Sequence, residues 1–387
     1  MRNTLNILLF IAALALCSCG QKEKAHEYLL VKFEGDNSWS LIDAKLNVVA
    51  RDALCSANEP SLIKEGIFIA DSGYYSVNDL RAPIFTEYAS GTLFEDGKAI
   101  AVTANGEFYA INKKGQICSP ALDAHDRVWG FNGELFYTHD QERGKRVIGL
   151  ASGSTMPNNK GCIIAPDLIA TRKQTKEGNR YTCYKTSSNG KAAEKWSTNK
   201  NILNIEQCHE MGYIVERTTN GRIKVFDLAM NELFSNDSAF IDAGHYTTWN
   251  KELHDICFNG RVIFRNREGA MGVMKCDGTT LIQPVFSKII HMGKNVYLVT
   301  DADGTYLMKE NGIIILDNRI VATMPCPTPM LGNHYVVKCR SKKGGNEFVF
   351  VTAEGEIAYL PARVTEIGNR RIEADAKNRI NCFKKRI

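Results

Sequence analysis

The chain has 387 residues, 44% of them hydrophobic and 24% charged, which is ample for a packed core and excludes global disorder. Its net charge is +5, and loss of residues 1–18, which carry Arg2 and no acid, brings it to +4. A balance so near neutral for this size argues against a nucleic-acid partner.

Arg2 forms a short positive n-region, and residues 7–16 (ILLFIAALAL) are an unbroken apolar run of ten, the anatomy of a secretory signal. The run is too short to cross a bilayer, whose hydrocarbon core needs about 20 apolar residues. Leu16-Cys17-Ser18-Cys19-Gly20 resembles a lipobox, with Leu three positions before Cys19, a small Ser before it and Gly after it. Cys17 fits less well, because it would place bulky Leu16 at the cleavage position. The motif needs cysteine because the sulfur carries a thioether-linked diacylglycerol, and cleavage then frees an amine for a further acyl chain. More than one chain gives stable membrane anchoring. The expected organisation is therefore a signal peptide over 1–18, a lipidated tether over 19–26 and a β-repeat body over 27–387. Gly20 is not the aspartate that retains some lipoproteins in the inner membrane, so the expected location is the outer membrane of a Gram-negative bacterium. Lys22-Glu23 resembles the charged tag of some surface-exposed lipoproteins, and the side of the membrane stays open.

From residue 27 the chain alternates apolar runs with Gly-containing turns and second runs rich in β-branched and aromatic residues, the pattern of β-hairpins. Strands are predicted at Tyr28 to Phe33 before Gly35 and at Ile67 to Ala70 before Gly73. The clearest unit is Lys98 to Thr103, the turn Ala104-Asn105-Gly106, then Glu107 to Asn112, where Asn-Gly suits positive φ. A second turn, Lys113-Lys114-Gly115, leads to a third short strand at Gln116-Ile117. Asp123 to Val128 reads as a loop at most. Further strands are predicted at Glu134 to Thr138, Leu168 to Arg172, Tyr213 to Glu216, Val262 to Arg265, Val296 to Thr300 and Tyr335 to Lys338. The glycines that follow these runs, from Gly35 to Gly344, lie 38, 33, 38, 34, 43, 48, 35 and 40 residues apart. Such a period marks a repeat array.

Trp39-Ser40-Leu41-Ile42-Asp43-Ala44-Lys45-Leu46 resembles the WG (KWG) repeat, whose core is roughly G-x-W-G-apolar-I-D-x-x-G. A second copy runs from Glu268 through Gly272 and Asp277-Gly278 to Pro284-Val285-Phe286. Phe108, Tyr306 and Phe348 align with the Trp position, and Ala82-Pro83-Ile84-Phe85 echoes the family's proline and aromatic. The Trp-Gly pair itself is absent from these turns, and the literal Trp129-Gly130 precedes its own Asn132-Gly133 turn. No single unit can bury its face alone, so about nine must stack. The expected fold class is all-β: a β-propeller of seven or eight blades if terminal strands share one, with an open β-solenoid as the alternative. Closure protects strand edges and favours the propeller.

Sites of chemistry are sparse. Removing Cys17 and acylating Cys19 leaves ten cysteines scattered along the body, with no C-x-x-C, so disulfides stay open and no pairing follows. His254 and Cys257 have a zinc-compatible spacing but no second pair nearby. Ser152 is not in a G-x-S-x-G elbow, and Gly269 to Gly272 and Gly344-Gly345 lack the Lys-Ser/Thr of a phosphate loop. The basic end Phe383-Lys384-Lys385-Arg386 reads as a solvated tail. No catalytic residue, cofactor or metal is expected. Asp43, Asp79, Asp227 and Asp301 near strand ends are the carboxylates from which a periplasmic or cell-surface hydrolase could be built, although capping turns is their ordinary role. Trp39, Phe108, Tyr306 and Phe348 line either a glycan or peptide surface or the core between repeats. The preferred expectation is a noncatalytic binding or assembly scaffold, tethered to a membrane by lipid and facing an envelope protein, peptide or glycan.

Overall fold

The structure is a computed structural model. It describes residues 26–71, 73–124, 127–132, 135–140, 144–149, 161–165, 168–186, 192–202, 214–218, 222–240, 257–258, 261–275, 277–317, 320–321, 330–342, 344–370 and 374–375. Cys19, the signal segment, His254, Ser152 and the basic C-terminus lie outside them.

Among the described residues every regular element is a β-strand, and no helix is long and apolar enough to cross a membrane. The first meander is β1 (Tyr28–Phe33), β2 (Trp39–Asp43) and β3 (Val48–Leu54), followed by the hairpin β4 (Ile67–Ala70) and β5 (Gly73–Ser76). Next come β6 (Tyr88–Gly91), β7 (Lys98–Thr103) and β8 (Phe108–Asn112), then β9 (Arg127–Asn132), β10 (Leu135–Asp140) and β11 (Gly144–Gly149). A longer meander has β12 (Gly161–Ala165), β13 (Leu168–Thr175), β14 (Gly178–Thr186) and β15 (Ala192–Thr198). Then follow β16 (Ile214–Arg217), β17 (Arg222–Phe226) and β18 (Glu232–Phe240), and β19 (Cys257–Phe258), β20 (Arg261–Arg265), β21 (Met271–Lys275) and β22 (Thr280–Phe286). After them run β23 (Lys288–Gly293), β24 (Val296–Thr300), β25 (Thr305–Lys309) and β26 (Ile314–Leu316). The last are β27 (Met330–Leu331), β28 (His334–Arg340), β29 (Asn346–Thr352), β30 (Ile357–Ala358), β31 (Val364–Ile367) and β32 (Ala374–Asp375).

By contact density the chain gathers into two compact units, one holding β16 to β26 and the other holding β1 to β15 with β27 to β32. In the second, strands far apart in sequence meet. β31 pairs antiparallel with β1, so one sheet runs β27-β28-β29-β31-β1-β2-β3. β32 likewise joins β9 at the edge of its sheet. An open solenoid leaves its first and last repeats at opposite ends. Successive antiparallel meanders with the terminal strands in one sheet are the chain topology of a β-propeller.

One turn design connects these strands. Nine times among the described residues, the N–H of residue i donates to the carbonyl of i+4 while the N–H of i+3 donates to the carbonyl of i; the starting residues are Asp43, Thr103, Asn112, Asp227, Asn266, Lys275, Lys309, Ser341 and Thr352. This is the three-residue hairpin loop, a type I turn closed by a residue in the left-handed region. Glycine fills that residue in seven of the nine, for instance Gly106 at φ 85°. Leu46 (φ 66°) and Met230 (φ 70°) are the other two, and both turns run Asp-x-x-x-Asn. There the Asn side chain donates to the second carboxylate oxygen of the Asp, at 2.9 Å for Asn47 to Asp43 and 2.7 Å for Asn231 to Asp227. An added charge-assisted hydrogen bond offsets the roughly 1–2 kcal/mol that a side chain costs in that conformation.

The expected third strand at Gln116-Ile117 is reduced to a single bridge between Ile111 and Ile117. The third strand of that sheet is instead β6, upstream. Residues 127–128, expected to be loop, begin β9, and Val128 is fully buried.

Core clusters join consecutive meanders. Trp39, Leu41 and Leu54 pack with Phe68 and Tyr75 of the following hairpin and with Leu80 beyond it. Phe108, Ile100 and Val102 pack with Leu122 and Val128. Ile263, Met271 and Val273 pack with Ile289, Tyr297 and Val299. Leu29 and Val31 pack with Val336, Phe350 and Val364 from the far end of the chain.

The β13–β14 hairpin departs from this pattern. Its proximal residues Leu168 to Thr171 are buried, while Arg172 to Gly178 are exposed on both faces, as is Arg180.

Candidate functional site

Each of the four candidate aspartates is occupied by its own turn. The Asp43 Oδ1 accepts from the backbone N–H of Lys45 at 2.9 Å and of Asn47 at 2.8 Å. Asp227 repeats this with Ala229 at 2.9 Å and Asn231 at 2.8 Å. Asp79 accepts from the N–H of Arg81 at 2.9 Å. Asp301 accepts from the N–H of Asp303 at 2.8 Å and of Gly304 at 3.1 Å, and its other oxygen takes the Tyr306 hydroxyl.

These bonds set the local electrostatics. Partial desolvation pushes the Asp43 carboxyl upward, but donation from the Asn47 side chain and from the Asn47 and Lys45 backbone outweighs it and holds the group below the ordinary carboxylate value. For Asp301 the Tyr306 hydroxyl is the leading cause of a shift in the same direction. Tyr306 is pushed up to about 12, first by desolvation and then by its bond to Asp301. A carboxylate with a lowered folded pKa adds stability that is complete above the unfolded value of about 3.9 and is lost as the pH falls through the folded one. Replacing Asp43 by Asn is therefore expected to flatten the loss of stability between about pH 5 and pH 2, read by denaturant titration across that range.

The aromatic candidates pack between repeats. Trp39 and Phe108 are 2% and 0% exposed. Phe348 is half-buried against the cluster of β1 and β29, with the Lys338 ammonium 5.8 Å from its ring centre. Trp39, Phe108 and Phe348 stand four residues before the turn residues Asp43, Asn112 and Thr352. Tyr306 does not share that register: buried Thr305 stands four residues before Lys309, so the period of two puts Tyr306 on the other face. Tyr306 meets Phe286 edge-on at 6.1 Å and flanks the cluster of β21 and β24. All four rings are thereby engaged in packing between repeats.

One polar cluster was not visible in the sequence. Arg261 on β20 forms a two-point ion pair with Glu310, which follows β25; one contact is Nη2 to Oε1 at 3.2 Å and the other joins Nε to Oε2. The Tyr297 hydroxyl donates to the same carboxylate at 3.4 Å. The Glu310 hydrogen bond leads in raising the Arg261 pKa. It ties two neighbouring meanders through residues 49 positions apart, a separation no motif reveals.

Among the described residues no group of three His, Cys, Asp or Glu could hold a metal. The Cys55 thiol meets the Ser38 hydroxyl at 3.3 Å, and the Cys118 thiol donates to the Ala110 carbonyl at 3.4 Å. Cys183 and Cys339 are buried within β14 and β28. Cys257 lies in β19, but His254 and the Cys257 side chain fall outside the described part.

No family model matches the sequence, and neither does any curated protein. Three solved structures align over most of their lengths. BamB from Moraxella catarrhalis is 14% identical with a TM-score of 0.33, over 79% of this chain and 92% of that one. Saccharomyces cerevisiae Sqt1 is 11% identical with a TM-score of 0.36, over 74% and 88%. The C-terminal WD40 domain of Sif2 is 12% identical with a TM-score of 0.34, over 82% and 97%.

Proposed function

We propose that this chain is an envelope lipoprotein, acylated on Cys19 and held at the outer membrane, whose β-repeat body is a noncatalytic scaffold for a protein, peptide or glycan. The observation that carries the noncatalytic reading is local: Asp43, Asp79, Asp227 and Asp301 each accept hydrogen bonds from the backbone of their own turn. A carboxylate so engaged holds a loop in shape. The anchoring reading rests on the apolar run of residues 7–16 and the spacing around Cys19.

Cells fed radioactive palmitate are expected to label the wild-type chain and to leave Cys19→Ala unlabelled. Equal incorporation in both removes the anchor. Affinity purification from the native envelope is expected to recover a reproducible partner that the Cys19→Ala form loses. Absence of any partner, together with release of sugar or peptide from envelope material, overturns the scaffold in favour of hydrolysis.

A further inference from the structure

The exposed part of the β13–β14 hairpin concentrates positive charge. Its nine residues, Arg172-Lys173-Gln174-Thr175-Lys176-Glu177-Gly178-Asn179-Arg180, hold four cations and one acid, a net +3 in a chain whose total is only +5. The strand register sets Lys173 directly opposite Arg180. Like charges facing each other across a ladder oppose pairing. No ion pair to Lys173 or Lys176 exists among the described residues. Arg180 instead donates to the Ser197 hydroxyl at 2.7 Å.

The tip also stands clear of the sheet. Pairing with β12 reaches only Thr171 and pairing with β15 only Tyr181, so among the described residues no strand covers either edge of 172–180. No residue of the segment is apolar or aromatic. It therefore lacks the central anchor of a protein interface, where lysine is depleted, and the rings on which single-stranded nucleic acid stacks. Exposed cations together with amide donors at Gln174 and Asn179 match a diffuse layer of phosphates.

We propose that the hairpin tip of residues 172–180 docks on the anionic phospholipid headgroups of the membrane that carries the chain. This rests on the lipid-anchored reading, because a tethered body meets that surface at high effective concentration. Each cation near an anionic leaflet is expected to strengthen contact about fivefold, so the net three give about 100-fold, screened by salt.

The test uses the full chain with photoreactive benzoylphenylalanine at Gln174, reconstituted in phosphatidylethanolamine vesicles with or without phosphatidylglycerol. Phosphatidylglycerol adducts are expected at low salt, falling at least about tenfold in molar salt and in Lys173→Glu/Lys176→Glu. An unchanged circular-dichroism spectrum shows that the double variant is folded. Equal adduct yields on vesicles lacking phosphatidylglycerol, or no lipid adduct on a chain that floats with the vesicles, overturn the proposal. The second outcome leaves the lysines as guards against edge-to-edge pairing. Flotation in molar salt reports the anchor separately. A chain that does not float there has lost the anchor reading, and the hairpin is then judged by whether low-salt flotation requires phosphatidylglycerol and the two lysines.

Discussion

Truncating Trp39 or Phe108 to alanine is expected to lower folding stability by about 3–5 kcal/mol, read from urea unfolding monitored by fluorescence or circular dichroism. Each ring fills space that the neighbouring repeat cannot collapse into. Trp39 meets Phe68, Tyr75 and Leu80, and Phe108 meets Leu122 and Val128. Whole domains are commonly stable by only about 5–15 kcal/mol, so either change removes a large share. A ring serving a ligand surface would behave otherwise, with little loss of stability and a loss of binding. A measured change below about 1 kcal/mol at both positions would return these aromatics to the list of ligand contacts.

The second large effect is expected at Gly91, the last residue of β6. A Cβ there would overlap the hydroxyl of Tyr74 and stand 2.9 Å from its Cζ and 3.1 Å from the Ile100 carbonyl. Tyr74 cannot retreat easily. Its ring is 1% exposed, its hydroxyl donates to the Thr92 carbonyl at 2.9 Å, and Phe85 and Phe94 pack against it at 4.9 and 5.5 Å. Gly91→Ala is expected to cost about 3 kcal/mol, the upper part of the range for overpacking. Tyr74→Phe alone is expected to cost about 1 kcal/mol for the lost hydrogen bond. In the double variant the overlapping atom is gone, so the combined cost is expected to fall short of the sum by 1 kcal/mol or more. Simple additivity would show that the Tyr74 hydroxyl is not the obstacle.

The fold was legible where apolar alternation and glycine turns coincide. β1, β4, β7 and β24 span the residues that their β-branched runs and following turns predict. Elsewhere the signal fails for physical reasons. β6, with sequence Tyr-Ala-Ser-Gly, is held by close packing around Tyr74 that no hydropathy pattern records. β15 is an outer strand with no fully buried residue, so alternation is not required of it. In β13 the buried half was predicted, but Lys173, Gln174 and Thr175 continue the strand only because β14 pairs with them. The candidate site was legible in its identities rather than its use. Aspartates near strand ends cap turns, as their ordinary chemistry suggests, whereas the turns at Leu46 and Met230 escape a search for glycine because Asp-x-x-x-Asn replaces it. The tie from Arg261 to Glu310 depends on which repeats are neighbours, so only coordinates reveal it.

The shared sheet of β31 and β1 also imposes an order of events. β1 emerges during synthesis long before β31, the strand that completes its sheet, and contacts such as Thr365 to Lys32 close a loop of 333 residues. Loop closure on that scale costs about 5 kcal/mol of chain entropy before any contact compensates. Topologies of this kind fold slowly, and β1 waits with an open edge until β31 arrives. A chain cut short before Val364 would leave that edge permanently bare, the state in which strands pair with other molecules instead of their own.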